Sequence, residues 1–78
     1  MLKDKVVIVT GAAGGIGKAI AVEAGRAGAR LALVDVDAES LDQTTAEIRA
    51  NGSEVLSLAV DITNRPVWQK SVDDIAAY

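Results

Sequence analysis

Seventy-eight residues suffice for one small domain, and a chain of that size buries only about 60 per cent of its extended surface. It contains no Cys and no His, which excludes a disulfide, a thiol nucleophile, a thiolate metal site and the commonest metal ligand. A net charge of −3 leaves no basic patch for a nucleic acid or an anionic membrane, so neither is an expected partner.

Half of the residues are apolar, at 50%, yet Trp68 and Tyr78 are the whole aromatic complement. The core must then be built from Val, Ile, Leu and Ala, which suits helices laid on a parallel sheet. No apolar run has the length of a membrane span, and Met1-Leu2-Lys3-Asp4-Lys5 lacks the basic start and long apolar centre of a signal peptide. A cytoplasmic protein is the expectation.

Apolar segments alternate with short polar corners along the whole chain, and they read as three βα units in one domain, residues 1–78. Lys5–Thr10 opens with four consecutive β-branched residues, Val6-Val7-Ile8-Val9, the pattern of a central strand buried on both faces of a parallel sheet. A helix from Gly15 to Ala27 follows, its buried stripe formed by Ile20, Ala21, Ala24 and Ala27, with Gly28 as its stop. Arg30–Val34 is the second strand. Asp37 is suited to cap the next helix, which buries Leu41, Thr45 and Ile48 and stops at Asn51-Gly52. Val55–Val60 is the third strand. Thr63 is the expected cap of the last helix, with Pro66 in its first turn and Val67, Val72 and Ile75 inward. Parallel right-handed crossovers give the strand order 3-2-1, a Rossmann-like α/β sheet that is half of a doubly wound fold.

The corner after the first strand carries the chemistry. Gly11 permits a sharp turn, Gly15 removes the Cβ that would block a phosphate, and Gly17 lets the helix pack tightly. Backbone N–H groups at the helix start then face an anion, aided by the helix dipole. The expected ligand is a pyrophosphate. Two other glycine loops fail on spacing. A P-loop needs Gly where Ala12 stands and a hydroxyl where Ala19 stands, and G-x-G-x-x-G needs Gly in place of Ile20. What is left is Thr10-Gly11-x-x-x-Gly15-x-Gly17.

Asp35 ends the second strand eighteen residues after Gly17, close to the spacing at which an acid meets the adenosine ribose. A carboxylate there accepts from ribose hydroxyls and repels a 2′-phosphate, which favours NAD over NADP. The same acid would serve equally to begin the turn into the next helix. Trp68 reads as packing, Lys18 as pointing to water, and Glu23, Arg26, Glu39, Asp42, Glu47 and Arg49 as solvated helix faces.

T-G-x-x-x-G-I-G directly after a first strand resembles the cofactor fingerprint of the short-chain dehydrogenase/reductase family. The resemblance implies a dinucleotide site formed by Gly11, Gly14, Gly15, Ile16, Gly17, Asp35, Asp61 and Ile62. In it the Asp61 carboxylate and the Ile62 backbone N–H would read the adenine edge, although Asp61 could instead belong to helix entry around Thr63. Members that prefer NADP carry a basic residue where this chain has Gly14 or Val36, so the resemblance also implies NAD. It further implies an oxidoreductase moving a hydride between nicotinamide and an alcohol or carbonyl, and a homo-oligomer for the full-length form.

The family's Tyr-x-x-x-Lys pair and its Ser and Asn partners have no counterpart in these residues, since Tyr78 ends the sequence. No catalytic residue is therefore assigned, and the chain reads as the N-terminal part of a longer domain. A stand-alone nucleotide-binding module and a truncation without function of its own are the alternatives.

Overall fold

Leu31, Ala32, Leu33 and Val34 are each at most 1% exposed, so the strand that carries them is covered on both faces. The computed structural model describes residues 2–78. Its elements alternate as β1 (Val6–Thr10), α1 (Gly15–Arg26), β2 (Arg30–Asp35), α2 (Ala38–Ala50), β3 (Val55–Ala59) and α3 (Arg65–Ala76). The three strands are parallel and lie in the order β1-β2-β3, here counted from the β1 edge, with β2 in the middle.

The register aligns Val7 with Leu31 and Leu31 with Val55, and Val9 with Leu33 and Leu33 with Ser57. Side chains alternate across a strand, so these residues share one face. That face receives Ala21 and Ala24 of α1 and Leu41 and Ile48 of α2, which form the core cluster with Val9, Ala12, Leu31, Leu33 and Val55. Alanines on α1 bring its backbone close to the sheet. Thr45 of α2 is buried because its hydroxyl donates to Ser57 Oγ at 3.2 Å, so the polar pair is satisfied inside the layer. The Arg30 guanidinium, on the opposite face, donates to the Tyr78 carbonyl just beyond α3 and lies 5.9 Å from the Tyr78 ring centroid.

Several expectations are corrected. β1 is not buried on both faces: Val6 is 38% and Ile8 48% exposed, on the face opposite the one that receives α1 and α2, and β1 is the edge strand that the order 3-2-1 implies. A β-branched run reports that a strand can be covered on both faces, not that these residues cover it. Ile20 of α1 is 53% exposed and lines an open apolar shelf of about 510 Å³ with Leu2, Ala19 and Ala24. Asn64, not Thr63, caps α3: its Oδ1 accepts from the Val67 N–H, while Thr63 turns both its N–H and its hydroxyl onto Asp61. The inward line of α3 is Ser71 and Ile75, with Val67 and Val72 more than one third exposed. Ser71 tolerates burial because its hydroxyl donates to the Val67 carbonyl within the helix. A three-strand parallel sheet is what the described residues contain, and they include no second half of a doubly wound sheet.

Two contacts fix where α1 begins. Gly11 has φ +66, a left-handed conformation that turns the chain out of β1. A Cβ on Gly17 would lie 2.9 Å from the Gly11 carbonyl carbon and still closer to its oxygen, so the helix start rests directly on the turn. Gly17→Ala gains about 1 kcal/mol of helix propensity but forces backbone apart at about 1–3 kcal/mol or more. The variant should have a lower urea midpoint, and equal or higher stability would show that the corner is not packed as described.

Asp37 caps α2 by accepting from the Ser40 N–H at 3.1 Å, and the Ser40 hydroxyl adds a second bond. The Ser40 backbone bond first, and its hydroxyl second, hold the Asp37 carboxyl below its ordinary value of 3.8. A lowered folded-state value means that the cap stabilises above pH 3.8 and is lost as the pH falls through the folded value. Asp37→Ala should therefore be less stable than the parent at neutral pH and lose that deficit in acid. A deficit of constant size from neutral pH down would remove the carboxylate from the account.

Candidate functional site

The carboxyl ends of β1 and β2 meet at the glycine corner. Ala12 N–H donates to the Val34 carbonyl at 3.2 Å, and Ala13 N–H donates to Asp35 Oδ2 at 3.0 Å. Two successive amides of the loop are thus bonded to two successive residues of β2. The other Asp35 oxygen, Oδ1, accepts from the Asp37 N–H at 3.0 Å and starts the turn into α2. The turn-initiating reading of Asp35 is the one these bonds describe, and the same carboxylate also faces the glycine loop.

Beyond Ala13 the loop closes with Gly14 N–H on the Gly11 carbonyl at 3.1 Å, and the first helical bond runs from Lys18 N–H to the Gly14 carbonyl at 2.9 Å. The N–H groups of Gly15, Ile16 and Gly17 precede that bond, and helix geometry gives them no acceptor within the helix. Gly14 occupies the cap position and offers no side-chain acceptor, whereas Asp37 and Asn64 cap α2 and α3. A Cβ on Gly15 would meet nothing within 4 Å, and Ile16 is 82% exposed. The corner is open, donor-rich and backed by the positive end of α1.

A cleft of about 200 Å³ runs from this corner across the strand ends, walled by Gly11, Val34, Asp35, Val36, Val60 and Ile62. Asp35 is its acidic member and the rest is largely apolar, which suits a flat ring held between aliphatic walls with a polar group fixed at one end. Of the eight residues expected from the sequence, Gly11, Asp35 and Ile62 line the cleft, and Gly14, Gly15, Ile16 and Gly17 form the adjoining corner. Asp61 does not line it. Its Oδ1 accepts from the Thr63 hydroxyl and from the Thr63 N–H at 2.9 Å, and these bonds, the hydroxyl first, hold its carboxyl below the ordinary value. The helix-entry reading of Asp61 is the one its bonds describe.

Val36, Val60 and the Ala13 amide complete the corner and were not singled out as contributors from the sequence. The valines are legible as the first apolar residues past each strand; a backbone N–H leaves no trace in a residue pattern. Lys18, expected to face water, pairs with Glu47 and ties the first turn of α1 to α2. A separate cleft of about 220 Å³ lies at the opposite ends of the strands, where Lys3, Asp4, Arg30 and Glu54 mix both charge signs. Among the described residues no cluster of three or more His, Cys, Asp or Glu could hold a metal ion, and no helix is long and apolar enough to cross a membrane.

Comparison with known proteins bears on the same elements. The short chain dehydrogenase family profile matches residues 5–78. A short chain dehydrogenase/reductase of Gibberella zeae is 41% identical over 76 residues, which cover 97% of this chain and 28% of the fungal protein. A short chain dehydrogenase/reductase of Burkholderia phymatum, crystallised with NAD, superposes with a TM-score of 0.92 at 34% identity over 97% of this chain and 27% of its own. A metagenomic short-chain oxidoreductase crystallised with NADP superposes with a TM-score of 0.90 at 38% identity, over 97% and 34%. The chain thus spans about a third or less of the length of these relatives. With its glycine corner, its strand ends and nearly its whole length matched, the chain belongs to the short chain dehydrogenase family.

Proposed function

We propose that this chain is the N-terminal, cofactor-binding part of an oxidoreductase that transfers a hydride between a nicotinamide dinucleotide and an alcohol or carbonyl substrate, and that it takes NAD in preference to NADP. The observation that carries the reading is the open corner at the start of α1, which adjoins a cleft with Asp35 at its polar end. The residues fit the group. Gly15 leaves space where a side chain would stand, the N–H groups of Gly15, Ile16 and Gly17 offer donors to a diphosphate, and the cleft walls suit adenosine.

Each residue has a separable task. The corner amides bind and orient the diphosphate. Asp35 holds the ribose by accepting from its hydroxyls, and its charge, with no cation at Val36 to offset it, opposes a 2′-phosphate. Val36, Val60 and Ile62 exclude water from the adenine faces. When bound, the dinucleotide supplies the carbon that accepts or returns the hydride.

The groups that would move the substrate proton belong to a further part of the protein. The short coverage of the relatives supports a longer parent over a stand-alone module. In that parent we place the missing strand against the open side of β1, which completes the doubly wound sheet. Function in the cytoplasm and assembly as a homo-oligomer belong to the same proposal.

Titration of the full-length protein should give a dissociation constant for NAD at least about tenfold below that for NADP, a difference of about 1.4 kcal/mol. Asp35→Ala combined with Val36→Arg should reverse the order. Tighter NADP binding by the unaltered protein contradicts the preference, and no saturable binding of either contradicts the site. Gly15→Ala gives a sharper check: stability should be unchanged or slightly higher, since the new Cβ meets no protein atom, while NAD binding should weaken about tenfold or more through contact with the diphosphate. Unaltered affinity would remove Gly15 from the site.

A further inference from the structure

We infer that Asp35 is a positioning residue for the glycine loop, in addition to the ribose acceptor proposed above, so that cofactor preference and loop placement are controlled by one carboxylate. The inference rests on the dinucleotide reading but on a separate observation. Asp35 Oδ2 accepts from the Ala13 N–H at 3.0 Å across twenty-two residues of sequence, and Oδ1 accepts from the Asp37 N–H at 3.0 Å. The carboxylate therefore joins the loop to the turn that opens α2.

Two oxygens of a carboxylate offer about four acceptor positions. Two are filled by backbone donors, and two remain for the vicinal hydroxyls of a ribose. Ala13 directly precedes Gly14, whose own N–H closes on the Gly11 carbonyl at 3.1 Å and whose carbonyl accepts the first bond of α1. Fixing Ala13 sets the height of that turn, and through it the direction of the Gly15, Ile16 and Gly17 amides. Ala12, held by the Val34 backbone carbonyl, anchors the other side of the loop without any side chain. Removing the Asp35 carboxylate should thus release one of two anchors and leave the loop less well aimed at a diphosphate, whatever occupies the ribose position.

The two roles of Asp35 separate on a ligand that lacks the ribose hydroxyls. In the full-length protein, 2′,3′-dideoxyadenosine 5′-diphosphate retains the diphosphate and offers Asp35 no hydroxyl. If Asp35 acts on the ribose alone, Asp35→Ala leaves binding of this probe unchanged, or tightens it because a negative charge near the diphosphate has gone. If it also positions the loop, the variant binds the probe about tenfold more weakly, because a loop without this anchor is in the binding-competent arrangement only about a tenth of the time. Amide hydrogen exchange of the cofactor-free protein, unaltered and as Asp35→Ala, supplies a second readout that needs no ligand. Ala13 should be protected comparably to Ala12, and in Asp35→Ala its exchange should speed by about tenfold or more while Ala12 keeps its rate. An Ala13 amide that exchanges as freely as an exposed loop amide in the unaltered protein overturns the positioning role even if NAD binds. A protected Ala13 amide in a protein that binds no NAD leaves the positioning role standing and overturns the dinucleotide reading instead.

Discussion

Two hydrogen bonds tie the glycine loop to the end of β2. One is backbone to backbone, from Ala12 to Val34, and the other is backbone to carboxylate, from Ala13 to Asp35. They fix a loop that has no apolar side chain larger than Ala to pack with. The rigid body to which they fix it is β2, the most deeply buried strand. Placement of the α1 amides is therefore inherited from the core, through a strand end, rather than from the loop's own residues.

The core itself is asymmetric. α1 and α2 cover one face through Ala21, Ala24, Leu41 and Ile48, while the opposite face of β1 and the flank of α1 carry Val6, Ile8 and Ile20 into the open. An unpaired apolar edge of this kind is a template for association. It belongs to the same strand that delivers the glycine turn at Gly11. Gly17 packs directly against Gly11, so the helix start rests on that turn.

Element identity was legible in the sequence because each signal was local: β-branched runs, glycine stops at Gly28 and Gly52, the Asp37 cap and the glycine corner. Burial was less so. Val6-Val7-Ile8-Val9 and Arg30-Leu-Ala-Leu-Val look alike as apolar runs, yet only the second has neighbours on both sides. Ile20 and the inner face of α3 were misplaced for the same reason, since periodicity gives a face and not what lies against it. At the glycine corner, the glycines and Asp35 could be brought together from the sequence because their chemistry is specific to residue type. For Asp61 the sequence offered a ligand and an Asx turn equally, because an acid at a strand end suits both; its Oδ1 makes the turn with Thr63. The Ala13 amide was invisible, as any backbone donor is.

The opening of α1 is proposed above as an anion site whose neighbouring cleft receives a nucleoside. The most direct measurement is amide chemical-shift mapping of the full-length protein during addition of NAD. The account predicts saturable shifts of the Gly15, Ile16 and Gly17 amides together with Val36 and Ile62. Shifts that leave those amides unmoved and gather instead around Lys3, Arg30 and Gly52, at the far ends of the strands, would contradict it.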